Sequence, residues 1–350
     1  MILTITEFCL GVALALMTLH DVVATAVVSG RTRSVPQVVR RVIAVNLPWW
    51  RRARRREQGL AIAFAPSILV QAFLLWMSLL AVAFGLMTHA LAGSFDPVLP
   101  SFPQALFVAG SGLATVGLSE TDATGAARWV VMAAGFCGLA VMTLTITYLL
   151  MVQGGVAGRD SGILKLTTSA GAPPSGVALL ERYASLDMIG RLPELLHDAR
   201  DWCAEVRQSH ASHPSLIYFR SVGAASGWPA ALGALMDLAL VCVFLLDDRA
   251  ARGPAVLLEE EGGRMARTLV DLVGLNALAA PPAEGEVHDL LGRLAGAGLS
   301  LRAEPDLAGF VAARARHAGC IRALAEHLGS LEAPLTPPPR GNGPDDAVFS

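Results

Sequence analysis

The sequence predicts an all-α membrane protein with a cytoplasmic helical domain, and three observations carry that prediction. With 53% hydrophobic and only 16% charged residues, the chain is too apolar for an average soluble globule. Two intervals, one between Glu57 and Asp96 and one between Arg128 and Arg159, hold no Asp, Glu, Lys or Arg. Each is long enough for a helix across a hydrocarbon core about 30 Å thick. The formal net charge of -2 hides a segregation, since Arg31, Arg33, Arg40, Arg41, Arg51, Arg52, Arg54, Arg55 and Arg56 fall in one short stretch.

The first apolar segment covers residues 3–29 and carries Glu7, His20 and Asp21. No Lys or Arg precedes Arg31, unlike a secretory signal, so an uncleaved helix with its N-terminus outside is expected. The arginine run then lies in the cytoplasm by the positive-inside rule, which accounts for it better than nucleic-acid binding because its flanks are membrane spans. The second helix runs outward, and residues 92–127, free of Lys and Arg, form an outer segment. The third helix returns inward and leaves the C-terminal half cytoplasmic, which describes a multi-pass protein of the plasma (inner) membrane. A first segment lying at the interface would leave that remaining topology unchanged. Asp21 deep in lipid requires a partner or a watery face. Alternatively it lies at the interface beside the arginines, since ten helical residues, on the order of 15 Å, separate it from Arg31.

Residues 36–50 mix Val38, Val42, Ile43, Leu47, Trp49 and Trp50 with Arg40 and Arg41, the composition of a helix in the inner headgroup layer. Arg51, Arg52, Arg54, Arg55 and Arg56 add attraction to anionic headgroups. The segment is expected to couple the membrane surface to the base of the third helix. Cys9, Cys137, Cys203, Cys242 and Cys320 show no metal or disulfide spacing and read as small core residues.

Between the second and third spans, residues 102–113 are apolar but too short to cross. Ser101 is placed to cap such a helix and Pro103 is tolerated in its first turn. About a dozen residues give a length near 18 Å, so the helix stops near the midplane with its partial negative charge toward a cavity. Thr115-Val116-Gly117-Leu118-Ser119-Glu120 follows. This run resembles the filter signature Thr-Val-Gly-Tyr-Gly-Asp of the potassium channel pore-loop family, and also the one-glycine loops of the Trk and Ktr potassium transporters. Gly125-Ala126-Ala127-Arg128 matches the family's inner-helix opening only at the arginine. The resemblance covers less than a third of the chain. It implies a pore unit of outer helix, re-entrant helix with filter, and inner helix, in which the backbone carbonyls of Thr115, Val116, Gly117, Leu118 and Ser119 replace a potassium ion's hydration shell. One loop per chain implies four chains around an axis, a homotetramer. Leu118 in place of tyrosine implies looser selectivity, and Ser119 in place of glycine disfavours the φ > 0 on which the outermost carbonyl ring depends. The alternative to a filter is a tight turn in an ordinary helical hairpin.

Glu120 and Asp122 would stand at the outer mouth, where carboxylates concentrate cations, or else are solvated surface. Gly135 and Gly138 serve either close packing or a gating hinge. Thr143, Thr145 and Thr147 cannot all share one helical face.

Composition divides the chain into an N-terminal helix (1–30), a basic interfacial segment (31–58), the pore unit (59–155), a Gly-, Ser- and Pro-rich linker (156–175), a helical domain (176–332) and a disordered tail (333–350). Val177, Leu179, Leu180, Tyr183, Leu186 and Ile189 follow helical spacing. The apolar stretch 229–246 is read as a buried helix because Asp237 disfavours insertion, with a fourth span as the alternative. His210 and His213 stand three apart near Pro214, a helix-end pattern rather than a metal site. Glu259, Glu260 and Glu261 read as a solvated patch. No nucleotide fingerprint and no nucleophile, acid–base or metal constellation stands out, so no enzyme and no bound cofactor is expected. Besides a potassium channel, the sequence admits a weakly selective cation channel and a non-conducting membrane sensor with a pore-like hairpin.

Overall fold

The computed structural model describes residues 2–26, 38–53, 58–118, 120–221 and 227–336. Ser119, Arg31, Arg33, Arg54, Arg55, Arg56 and residues 337–350 lie outside the described residues, as do the side chains of Arg40, Arg51 and Arg52. The described residues form an all-α protein with one two-stranded ribbon, divided into two compact units, Met1–Gln153 and Gly154–Ser350. Among the described residues, four helices are long and apolar enough to cross a membrane.

In the first unit α1 (Ile2–Ala26) packs along α3 (Gln58–Ala90), and three contacts fix their alignment. His89 Nδ1 lies 2.7 Å from Glu7 Oε1 near one end. Gly11 seats the helices closely, since a Cβ there would fall 2.6 Å from the Ala83 carbonyl oxygen. Toward the other end the buried Asp21 carboxylate accepts the Trp76 Nε1–H at 2.7 Å. These pairs run in opposite directions along the two helices, which are therefore antiparallel. The same carboxylate accepts the Val38 N–H at 3.1 and 3.2 Å. Val38 opens α2 (Val38–Ala53), so Asp21 also satisfies an orphan donor at that helix's N-terminus. Asp21 is buried and has the partners that such a carboxylate requires, donors 17 and 55 residues away that converge on it.

α2 lies against α3 through Asn46 Nδ2, which donates to Gln71 Oε1 at 3.0 Å, and through Trp50, stacked on Phe64 at 4.8 Å. Cys9 is exposed rather than a core residue, because α1 buries only one side: 17% of its apolar window is covered. α5 (Ala126–Thr167) is as bare over its own window, 17%.

α5 also corrects the expected linker, for it continues to Thr167. Two of its late glycines, Gly155 and Gly162, are seats rather than breakers. A Cβ at Gly155 would meet Leu216 Cδ1 at 3.0 Å, and one at Gly162 would run into the Trp202 ring. Buried Arg159 donates to the carbonyls of Leu216 and Phe219 and pairs with Asp160 at 3.0 Å, while Trp202 Nε1 donates to the Arg159 carbonyl. The connection is only what remains between Thr167 and α6 (Gly176–Ser185).

The second unit is a bundle of α6, α7 (Leu192–Ser212), α8 (Gly227–Phe244), α9 (Arg249–Val273), α10 (Glu284–Gly296) and α11 (Leu307–Leu328). α8 passes the length and composition test for a span, yet 83% of it is buried, with α6, α9 and α11 against its sides. A bilayer would have to replace that packing. Asp237 is neutralised within the bundle by Arg314, 3.0 Å away. Leu186 falls beyond the end of α6 and is exposed. Glu261 is no solvated residue but is largely buried, bonded to Arg207 at 2.6 Å. The first residues assigned to the tail are ordered: Leu335 is buried and its carbonyl accepts from the Ser175 hydroxyl at 3.2 Å.

Candidate functional site

The site is the loop that follows α4 (Phe102–Leu113) and the scaffold that holds it. α4 has 12 residues, with Pro103 in its first turn. Ser101 occupies the cap position, but its hydroxyl makes no capping bond; its carbonyl accepts the Ala105 N–H at 3.1 Å instead. Ala105 and Val108 of α4 pack on Phe95, Leu99 and Ala127, and Leu106 rests on Gly85 of α3. The short apolar helix is thus pinned at both flanks.

Those flanks are tied together as well. β1 (Phe95–Asp96) pairs antiparallel with β2 (Asp122–Ala123), and Thr124 donates to the Ser94 carbonyl through both its N–H (2.8 Å) and its hydroxyl (2.9 Å). Arg128 Nε donates to the Ala123 carbonyl at 2.8 Å. The arginine that matched the family pattern in place therefore closes the base of the loop.

At the end of α4 the chain winds back on itself. Thr115 N–H donates to Gly112, and the N–H groups of Val116 and Gly117 both donate to the Ser111 carbonyl, at 3.0 and 3.4 Å. Thr115 and Gly117 are left-handed, with φ +57° and +73°. For glycine this costs little, but for a β-branched threonine it is strain on the order of 1–3 kcal/mol. Among the described residues, no backbone N–H is bonded to the carbonyls of Ala114, Thr115, Val116 or Gly117. Residues 114–118 are exposed, including the apolar Val116 (60%) and Leu118 (59%). One copy of the chain leaves both the acceptors and the apolar side chains uncovered.

Comparison with known proteins returns no match, whether to a family model, a curated protein or a solved structure. The site stands on its own residues.

Glu120 and Asp122 are both exposed, and Asp122 lies opposite Asp96 in the ribbon. Like charges directly opposite each other are unfavourable unless a cation or water screens them. Asp96 was not singled out in the sequence, since two-residue strands carry no alternation to read. Gly135 and Gly138 are both drawn to the end of α4. A Cβ on Gly138 would fall 2.7 Å from the Leu113 carbonyl carbon and nearer still to its oxygen, whereas one on Gly135 would sit 3.4 Å from the Gly112 oxygen. α5 runs through both as continuous α-helix, so in this structure they pack and do not bend. Thr143, Thr145 and Thr147 each return their hydroxyl to the carbonyl four residues before. A further feature was readable but overlooked: Met132, Phe136, Leu139, Ile146 and Leu150 of α5 are exposed and share one 3–4 spaced stripe with Thr143.

Proposed function

We propose that the chain is the subunit of a tetrameric cation channel that conducts potassium passively through a filter of backbone carbonyls at residues 115–119. The observation that carries this reading is a helix too short to span that ends in a Thr115-Val116-Gly117 loop, left-handed at Thr115 and Gly117, whose carbonyls have no backbone donor among the described residues. Carbonyls at membrane depth need a ligand, and a ring of them from four copies offers a cation a substitute hydration shell. The partial negative charge at the C-terminus of α4 and the carboxylates of Glu120, Asp122 and Asp96 favour the same sign of ion. The bare stripe on α5 supports assembly of copies, with the N-terminus outside and the arginines in the cytoplasm. Leu118 stands where the family signature has tyrosine, which favours a second reading, a cation channel that discriminates weakly between potassium and sodium.

The test is flux from proteoliposomes with potassium or sodium gradients, on the wild type and on Gly117→Ala. An added Cβ at Gly117 meets nothing within 4 Å, so the substitution acts only through the backbone, whose left-handed state then costs about 1–2 kcal/mol. Flux should fall at least severalfold, with the melting temperature lowered by no more than the few degrees that such a backbone cost accounts for. An authentic wild-type flux left untouched by Gly117→Ala overturns the filter, and equal sodium and potassium fluxes select the weakly discriminating channel.

A further inference from the structure

We propose that the face of α2 turned away from α3 is a docking surface for the anionic headgroup layer of the membrane. α1 and α3 are antiparallel and each long and apolar enough to cross a bilayer, so α2, which lies between them in the chain, falls at one membrane surface. α2 is held there by the Asp21 carboxylate on the N–H of Val38.

The sides of α2 are arranged opposite to those of a helix facing water. Its polar Asn46 is turned in toward Gln71, and Trp50 is buried on Phe64 at 2% exposure. Facing out are Arg41, Ala44, Val45, Pro48 and Trp49, a set spaced as one helical stripe, with Val45 at 77% and Trp49 at 63% exposure. An exposed apolar stripe ending in tryptophan and accompanied by arginine fits the boundary between acyl chains and headgroups. Charge selects the occupant. Between Asp21 and Glu57 the chain has nine arginines and no acidic residue, so a second copy seated on this face would bring like charge against like. An anionic lipid surface meets both the charge and the apolar stripe at once. The inference does not depend on whether the chain conducts ions.

Hydrogen exchange of the full-length chain tests this in nanodiscs of phosphatidylcholine alone and of an equimolar mixture with phosphatidylglycerol. Amides of residues 41–49 should exchange about tenfold more slowly in the anionic discs, the increment shrinking at high salt. The amides of α9 in the second unit serve as an internal reference. Replacing Arg51, Arg52, Arg54, Arg55 and Arg56 together with glutamine should remove most of the increment, and Trp49→Ser should reduce protection in both kinds of disc. Exchange of α2 in the wild type that is indifferent to phosphatidylglycerol overturns the proposal without recourse to any variant. Equal protection in neutral discs on adding inorganic phosphate also overturns it, since the site would then answer to a soluble anion and not to the membrane surface.

Discussion

Gly138→Ala and Gly135→Ala form a pair that separates packing from hinging in α5. Carbon atoms in contact sit about 3.5–4.0 Å apart. A Cβ at Gly138 would lie 2.7 Å from the Leu113 carbonyl carbon, so α5 must retreat from the end of α4 by about 1 Å. Overpacking of that kind costs about 1–3 kcal/mol, set against the roughly 1 kcal/mol that alanine gains over glycine in a helix. At Gly135 the nearest atom would be 3.4 Å away and the helical gain survives. Gly135→Ala should therefore be neutral or stabilising by about 0.5–1 kcal/mol, and the two variants should differ by about 2 kcal/mol. Thermal unfolding of the purified protein in detergent would register that as roughly 4–8 °C. The displaced Leu113 also anchors the loop, so Gly138→Ala should reduce ion flux where Gly135→Ala does not. If Gly138→Ala melts at or above Gly135→Ala, the close approach of α4 and α5 is refuted. Equal damage to gating by both, with unaltered melting, would restore the hinge.

Asp21→Ala strands the Trp76 indole N–H and the Val38 N–H, each worth about 1–3 kcal/mol when left unpaired, whereas Trp76→Phe removes only one donor and should cost less. Thermal unfolding checks the order, and an Asp21→Ala variant as stable as the wild type refutes it. His210 is fully buried, with its Nδ1 on the Val206 carbonyl at 2.8 Å; burial first, and the Arg159 guanidinium second, push its imidazole down to about 3. The unfolded imidazole titrates near 6.5, so the unfolded state binds the extra proton between those values. Stability is full above pH 6.5 and falls by about 1.4 kcal/mol per unit of acidification toward pH 3, near 2 kcal/mol by pH 5. Denaturant midpoints between pH 7 and 5 should show this slope in the wild type and a shallower one in His210→Phe; equal slopes would refute the assignment.

α3 and most of α5 were legible because charge is absent from them, and α4 because its apolar run is too short to cross and opens on proline. What could not be read depends on partners distant in sequence. Gly154, Gly155, Gly158 and Gly162 look like breakers until Leu216 and Trp202 are seen resting on two of them. α8 was legible as a buried helix because Asp237 disfavours insertion, but the partner of that carboxylate, Arg314, lies 77 residues on. The partners of Asp21 could not be read because its indole donor lies on another helix. At the site, the glycine of the filter-like loop was visible, but the left-handed turn at Thr115 was not, because threonine gives no sign of a conformation it ordinarily avoids.

The bonds from Thr124 to the Ser94 carbonyl join two points 30 residues apart. Closing a loop of that length costs on the order of 3 kcal/mol of chain entropy, and here the cost is met at the base rather than at the tip. The base of the loop is thus closed by one carbonyl, one threonine and one arginine. Because Gly85 and Gly138 also seat the helix against its neighbours, change is tolerated at the exposed tip, at Val116 and Leu118, and not in the helix behind it.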